Sequence, residues 1–152
     1  DVVVFDQQMA LDFDGSCAFG QETWVQQRAG KLVARRNIHN ALCVFRQGCP
    51  VLPFLIHTVA SLIQRVDPAH IAPQMVGPKL LASLHSLCDF AVLPQVGALS
   101  PEVVSDICAG EGPALALLRQ GSSPYAVNVC ASLAGPEEAA LAVEMLVARG
   151  RL

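Results

Sequence analysis

At about residue 38 the spacing of apolar side chains changes from two to roughly 3.6 residues. That switch constrains the chain more than any motif in it, because the first period buries one face of a strand and the second one face of a helix. Before the switch, Val2, Val3, Val4 and Phe5 form a β-branched run, Met9, Leu11 and Phe13 alternate with polar or small residues, and Asp14-Gly15 is a turn signal, so a first hairpin is expected. A second is expected from Trp24-Val25-Gln26-Gln27 and Leu32-Val33-Ala34-Arg35, which flank Arg28-Ala29-Gly30-Lys31 with Gly30 open to a positive φ.

After the switch, Leu52, Leu55, Ile56, Val59, Leu62, Ile63 and Val66 share one helical face, with His57, Ser61, Gln64 and Arg65 opposite. Leu80, Leu81, Leu84, Leu87 and Cys88 repeat the pattern opposite Ser83, Ser86 and Asp89. Ser100-Pro101-Glu102 supplies an N-cap, a Pro at the first helical position and a first-turn acid, and Gly110 or Gly112 ends that helix. Pro113 to Gln120 is a short helix stopped by Gly121, Ser122-Ser123-Pro124 restarts the chain, and Pro136-Glu137-Glu138 opens a last helix that ends on Arg149 and Arg151. Leu52, Leu55, Val59, Leu80 and Leu84 are the expected core, with His57 and Arg65 on the outer face.

The fold class predicted is α+β in a single domain over 1–152: an N-terminal β-hairpin layer (1–37) followed by a mainly α-helical bundle or stack of short helices (38–152). Ser-Pro helix starts before residues 101 and 124 favour the helical stack; if Leu42–Phe45, Phe90–Leu93 and Tyr125–Cys130 are instead strands, the alternative is α/β with a small parallel sheet. Pro113 to Ala134 resembles one armadillo-type helical repeat, without a second copy at a fixed period.

Composition turns this pattern into a functional expectation. The chain is 53% hydrophobic and 15% charged, against about 25% charged in an average domain, which excludes disorder over most of its length. A domain of this size buries roughly 68–70% of its unfolded surface, less than this aliphatic content needs, so the surplus is expected to face a partner. The leading expectation is therefore a protein-interaction or scaffolding module, without cofactor or catalytic residues, that binds another protein or further domains of its parent chain. Because the sequence begins at Asp1 rather than Met, a fragment of a longer chain is one expectation. The uncharged stretch between Arg46 and Arg65 carries Pro50, Pro53, His57, Gln47 and Gln64, which argues against a membrane span, and no basic segment leads an apolar one as in a signal peptide. The widely spaced Cys17, Cys43, Cys49, Cys88, Cys108 and Cys130 are expected to be reduced, buried thiols of a reducing intracellular compartment, cytoplasm or nucleus.

Residues 1–22 carry net charge −5, residues 23–66 +6 and residues 67–152 −4. The basic stretch 28–46 offers a nucleic-acid surface as a further alternative, although a chain with pI near 5.7 lacks an overall basic footprint. Pairing of the acidic and basic blocks across one sheet accounts for the same pattern.

Met9-Ala-Leu-Asp-Phe-Asp-Gly-Ser16 is similar to the first motif of haloacid-dehalogenase-type phosphatases, an apolar strand followed by Asp-x-Asp-Gly-Thr/Ser. The resemblance implies a Mg²⁺-dependent phosphohydrolase with Asp12 as nucleophile, Asp14 as general acid/base and both carboxylates on Mg²⁺. Lys79 is then the phosphate-binding Lys and Asp89 or Asp106 the later acid, in place of the acidic pair of the family's pattern. Alternatively Asp12, Asp14 and Gly15 simply close a hairpin. His39, Cys43, Cys49 and His57 are zinc-compatible ligand types, with His39 and Cys43 on one face if that segment is helical, but no Cys-x2-Cys knuckle accompanies them. On its amphipathic helix Cys88 falls on the apolar face and His85 does not, so Cys88 is expected to be a buried, inert thiol. No phosphate loop, dinucleotide fingerprint or Gly-x-Ser-x-Gly elbow occurs.

Overall fold

The computed structural model describes residues 2–6, 10–71, 75–88, 90–121 and 124–152. It is a mixed α/β structure in which five strands, β1 (Val2–Val4), β2 (Cys17–Arg28), β3 (Lys31–Phe45), β4 (Ala91–Leu99) and β5 (Ala126–Asn128), form one sheet of order β1-β5-β4-β2-β3. The neighbours β2, β4 and β5 run parallel, while β1 on one edge and β3 on the other are antiparallel to their partners. The helices are α1 (Val51–Arg65), α2 (Pro78–His85), α3 (Pro101–Ala109), α4 (Pro113–Arg119), α5 (Ala131–Ala134) and α6 (Pro136–Arg149), with a 3₁₀ turn at Pro68–His70. The connection from β2 to its parallel neighbour β4 runs through β3, α1 and α2, and that from β4 to its parallel neighbour β5 through α3 and α4, as parallel strands require of their connections.

The β2–β3 hairpin forms where expected, closed by Ala29 and Gly30 with φ of 47° and 77°. A two-residue turn with both φ positive matches the right-handed twist of its strands. The other hairpin does not form. β1 pairs with β5, Val3 opposite Val127, and residues 10–16 adopt no strand although Gly15 has the positive φ of a turn. Met9 lies outside the described residues, as do Asp89, Ser122 and Ser123.

All three ambiguous segments contribute strand: 42–45 extends β3, 90–93 leads into β4 and 125–130 contains β5. The β-hairpin layer therefore runs to Phe45 rather than to residue 37, and residues 113–134 hold a helix, a strand and a short helix instead of an armadillo-type helix pair. β4 and β5 are parallel strands covered by helices, which is why their sequences read as continuous apolar runs.

Two apolar clusters make the core. The larger packs Val25, Leu99, Val127 and Val3 of the sheet against Val103, Val104 and Ile107 of α3, Leu115 of α4 and Ala139, Ala142 and Leu146 of α6. The smaller packs Cys17, Phe19 and Ile38 against Leu81 and Leu84 of α2, with Cys49 and Phe90. Phe19 meets Phe90 and Phe45 edge-on, at ring-centroid distances of 4.7 and 5.7 Å.

The stop read at Gly110 is in place, with α3 ending there at φ 97°, and α6 ends at Gly150 with φ 65°. Ser100 occupies the N-cap of α3, but its hydroxyl accepts from Val25 N–H (3.2 Å) and so ties the helix to β2. α4 begins after Gly112, which has no capping side chain, and Asp106 of α3 takes over that function by accepting from Ala114 N–H (2.7 Å) and Leu115 N–H (3.0 Å). Asp106→Ala is expected to cost about 1–2 kcal/mol, the upper part of the range for losing an N-cap. A urea midpoint unchanged from that of the parent would overturn this assignment.

Along the described β2–β3 ladder, acidic residues do not stand opposite basic ones as expected. Glu22 stands opposite Asn37 and accepts from its Nδ2 (3.5 Å), while Arg35 and Arg36 stand opposite Trp24 and Thr23. Arg46 donates to the Phe13 carbonyl (2.9 Å) and lies 4.9 Å from the centre of its ring.

Candidate functional site

α1 is the longest helix and no residue in it is buried. It starts at Pro50, follows the β3 end through the turn at Gly48, and seats its first turns on the smaller core cluster through Val51 and Leu55. Val59 and Leu62 are half-buried on the same side. The apolar face is wider than this contact. Leu52, Ile56, Val59 and Ile63 follow a 4-3-4 spacing, the seam spacing of helix-on-helix packing, and Leu52, Ile56 and Ile63 are 38%, 62% and 49% exposed. The expected core is corrected accordingly: Leu84 is buried, Leu55, Val59 and Leu80 are half-buried and Leu52 is exposed. His57 and Arg65 are exposed, as expected of the outer face.

Beside the root of α1 runs an apolar groove of about 240 Å³, walled by Pro50, Val51, Phe54, Leu84, Cys88 and Phe90. Phe54 is exposed at its rim. Cys88 lines the groove and is exposed, not a buried core thiol, and the His85 ring lies tilted against that of Phe90, with centroids 4.9 Å apart. The helix and the groove together present aliphatic and aromatic surface with no carboxylate in the first turn of α1 and Arg65 in its last.

A second, polar depression of about 860 Å³ is lined by His39, Asn40, Asn128 and Cys130 among others. Burial lowers the pKa of His39 against the opposing influence of the buried Glu22 carboxylate, and His39 Nδ1 accepts from Ala41 N–H (3.0 Å), which leaves a neutral imidazole with its proton on Nε2. Cys130 adopts a left-handed conformation (φ 53°) at the end of β5, held by its N–H donating to Asn128 Oδ1 (2.9 Å). Burial, then Glu22, push its thiol up. The depression thus offers neutral hydrogen-bonding groups.

The other candidate residues are dispersed. Asp12 and Asp14 are exposed on the irregular segment before β2, without the apolar strand over residues 10–13 that the phosphatase resemblance implies, and Lys79 is exposed in the first turn of α2. His39 and Cys43 lie on β3, opposite Gly20 and Phe19, so they do not share a helical face. Cys49 is buried near Cys17, whereas His57 is exposed on α1. Among the described residues, no three His, Cys, Asp or Glu side chains gather as a metal ion would require. Arg28, Lys31, Arg35 and Arg36 are exposed along the hairpin and its edge strand. Among the described residues no helix is long and apolar enough to cross a membrane. Phe54, Glu22 and Cys130 carry no sequence signal of their positions, because each depends on strand pairing or on a groove assembled from distant segments. No family model, curated protein or solved structure matches the chain.

Proposed function

We propose that the chain is a protein-interaction module that docks through α1 onto an apolar helix or groove of another protein or of a further part of its own chain. The observation that supports this reading is the uncovered Leu52, Ile56 and Ile63 stripe on a helix that already uses its adjoining face to hold the fold. Burying one such side chain contributes about 1.5–3 kcal/mol, so a partner that covers all three gains substantially, while solvent exposure leaves that free energy unused. The apolar groove beside Phe54 extends the same surface.

A photo-crosslinking amino acid placed at Ile56 or Ile63 tests the reading, with the same group at His57 and Gln64 on the opposite face as controls. Cross-linked products are expected from the first pair of positions only. Ile56→Asp is expected to leave the thermal midpoint of the chain within the range of about ±0.5 kcal/mol typical of surface changes. The same change weakens association about tenfold or more. Equal cross-linking from both faces, or association unaffected by Ile56→Asp, contradicts the proposal.

A further inference from the structure

β3 closes the sheet on one side, with β2 as its neighbour and no described strand beyond it. Its outer side is open over residues 31–37, where every residue is exposed except the half-buried Leu32. Which backbone groups face outward follows from the register. Val25 stands opposite Ala34, and Gln21 opposite Ile38. Val25 N–H donates to Ser100 Oγ (3.2 Å), and the Gln21 carbonyl oxygen abuts Gly97 of β4. Both β2 residues therefore turn their backbone groups away from β3, and in an antiparallel pair the residues opposite them turn theirs away from β2. Alternation along the strand then directs the N–H and C=O groups of Leu32, Ala34 and Arg36 outward. The Ala29-Gly30 turn sets the same phase, because the residues that flank a two-residue turn form a hydrogen-bonded pair. Among the described residues, no hydrogen bond from outside the sheet reaches the backbone of Leu32, Ala34 or Arg36.

The open edge is cationic. Arg28 and Lys31 pair beside the turn, Arg35 shares their face of the sheet, Arg36 stands on the other, and all four are exposed. Among the described residues, no carboxylate lies within ion-pair distance of any of them. Glu22 of the same hairpin is buried, and residues 23–66 contain no Asp or Glu. Beside Arg36, a depression of about 290 Å³ opens between Asn37 and Ile38 of β3 and Ala82 and His85 of α2. A strand edge with unpaired groups is a template for another strand. Like charge turns away a second copy of this edge, whereas an acidic strand gains from opposed charges at each pairing. Nucleic acid would be drawn to the same cations, but half of the outward groups are carbonyls, which repel phosphate and are satisfied by the N–H groups of a peptide.

We propose that residues 31–37 of β3 bind an extended acidic segment of a partner protein by strand addition, extending the sheet beyond its cationic edge. The incoming strand runs antiparallel and exchanges backbone hydrogen bonds with Leu32, Ala34 and Arg36. Acidic side chains stand opposite Lys31, Arg35 and Arg36, and β-branched ones opposite Val33 and Ala34. The acid opposite Arg36 enters the depression beside α2. This surface lies at the hairpin-tip end of β3, whereas α1 follows the other end, so it is a contact separate from the one proposed for that helix.

The probe is a fluorescein-labelled, end-capped peptide, Thr-Glu-Glu-Val-Val-Thr-Glu-Thr, titrated with the whole chain and followed by fluorescence anisotropy. Its comparator carries the same charges but is N-methylated at the residues that stand opposite Leu32, Ala34 and Arg36, so only its hydrogen bonds differ. Saturable binding is expected, weakened about tenfold or more by the N-methyl groups. On the protein side, Ala34→Pro removes one outward N–H and leaves the bonds to β2 in place, and it is expected to weaken binding, as is Arg35→Glu combined with Arg36→Glu. Bound peptide is expected to slow amide exchange at Leu32, Ala34 and Arg36, and Ile56→Asp is expected to leave its affinity unchanged. Equal binding of the two peptides, absence of saturable binding, or binding of an oligothymidylate in place of the peptide overturns the proposal. The comparison of the two peptides uses the unaltered chain and so does not depend on a variant folding.

Discussion

Leu146→Ala is expected to destabilise the chain by about 3 kcal/mol, within the roughly 2–5 kcal/mol seen when a buried Leu is cut back to Ala. Leu146 is 0% exposed on α6, in the larger core cluster with Val103, Val104 and Ile107 of α3, whereas its neighbour Val147 is 65% exposed. The deleted atoms leave a cavity between two helices that are themselves anchored to the sheet, so collapse around it is limited. A domain of this kind has a total stability of about 5–15 kcal/mol, and each kcal/mol moves its midpoint about 2–4 °C, so a fall of about 6–12 °C follows. Val147→Ala on the same helix is expected to stay within about 0.5 kcal/mol of the parent. Thermal unfolding followed by circular dichroism checks both, and equal shifts for the two variants would mean that α6 does not bury the face described.

Gly97→Ala is expected to cost as much by the opposite mechanism. A Cβ at Gly97 would collide with the carbonyl oxygen of Gln21, its partner across the β2–β4 ladder. Gly97 follows an irregularity in which Gly20 pairs with Leu93 but Gln21 with Gly97, leaving 94–96 as a bulge that accommodates Pro94. Side-chain overpacking typically costs about 1–3 kcal/mol, and here the obstacle is backbone that cannot rotate away, so about 3 kcal/mol or more is expected. The lowered urea midpoint should be accompanied by faster amide exchange in β2 and β4. An unchanged midpoint would show that the two strands do not approach in this register.

The helices were legible because their signals are local. Pro101, Pro113 and Pro136 each begin a helix, and Gly110 ends the one it follows. Ala29-Gly30 closed its hairpin for the same reason, since the turn needs only its own backbone angles. β4 and β5 were ambiguous because a short apolar run buried on both sides has no period to display. Residues 38–45 were misread as the start of the helical region, with His39 and Cys43 on one turn, because what holds them in a strand is the β2 ladder beside them.

Sequence alone therefore determined the α+β character, the positions of most helices, the second hairpin and the amphipathic pattern of α1. Tertiary structure decided that β1 joins β5 instead of a neighbouring segment, that β2, β4 and β5 lie side by side, and that half of α1's apolar face stays uncovered. Caps, turns and periodicity act over a few residues and are written in consecutive letters. Strand pairing and burial depend on which distant surface is available, and Leu52 and Leu84 show the same pattern in sequence yet end on opposite sides of that boundary.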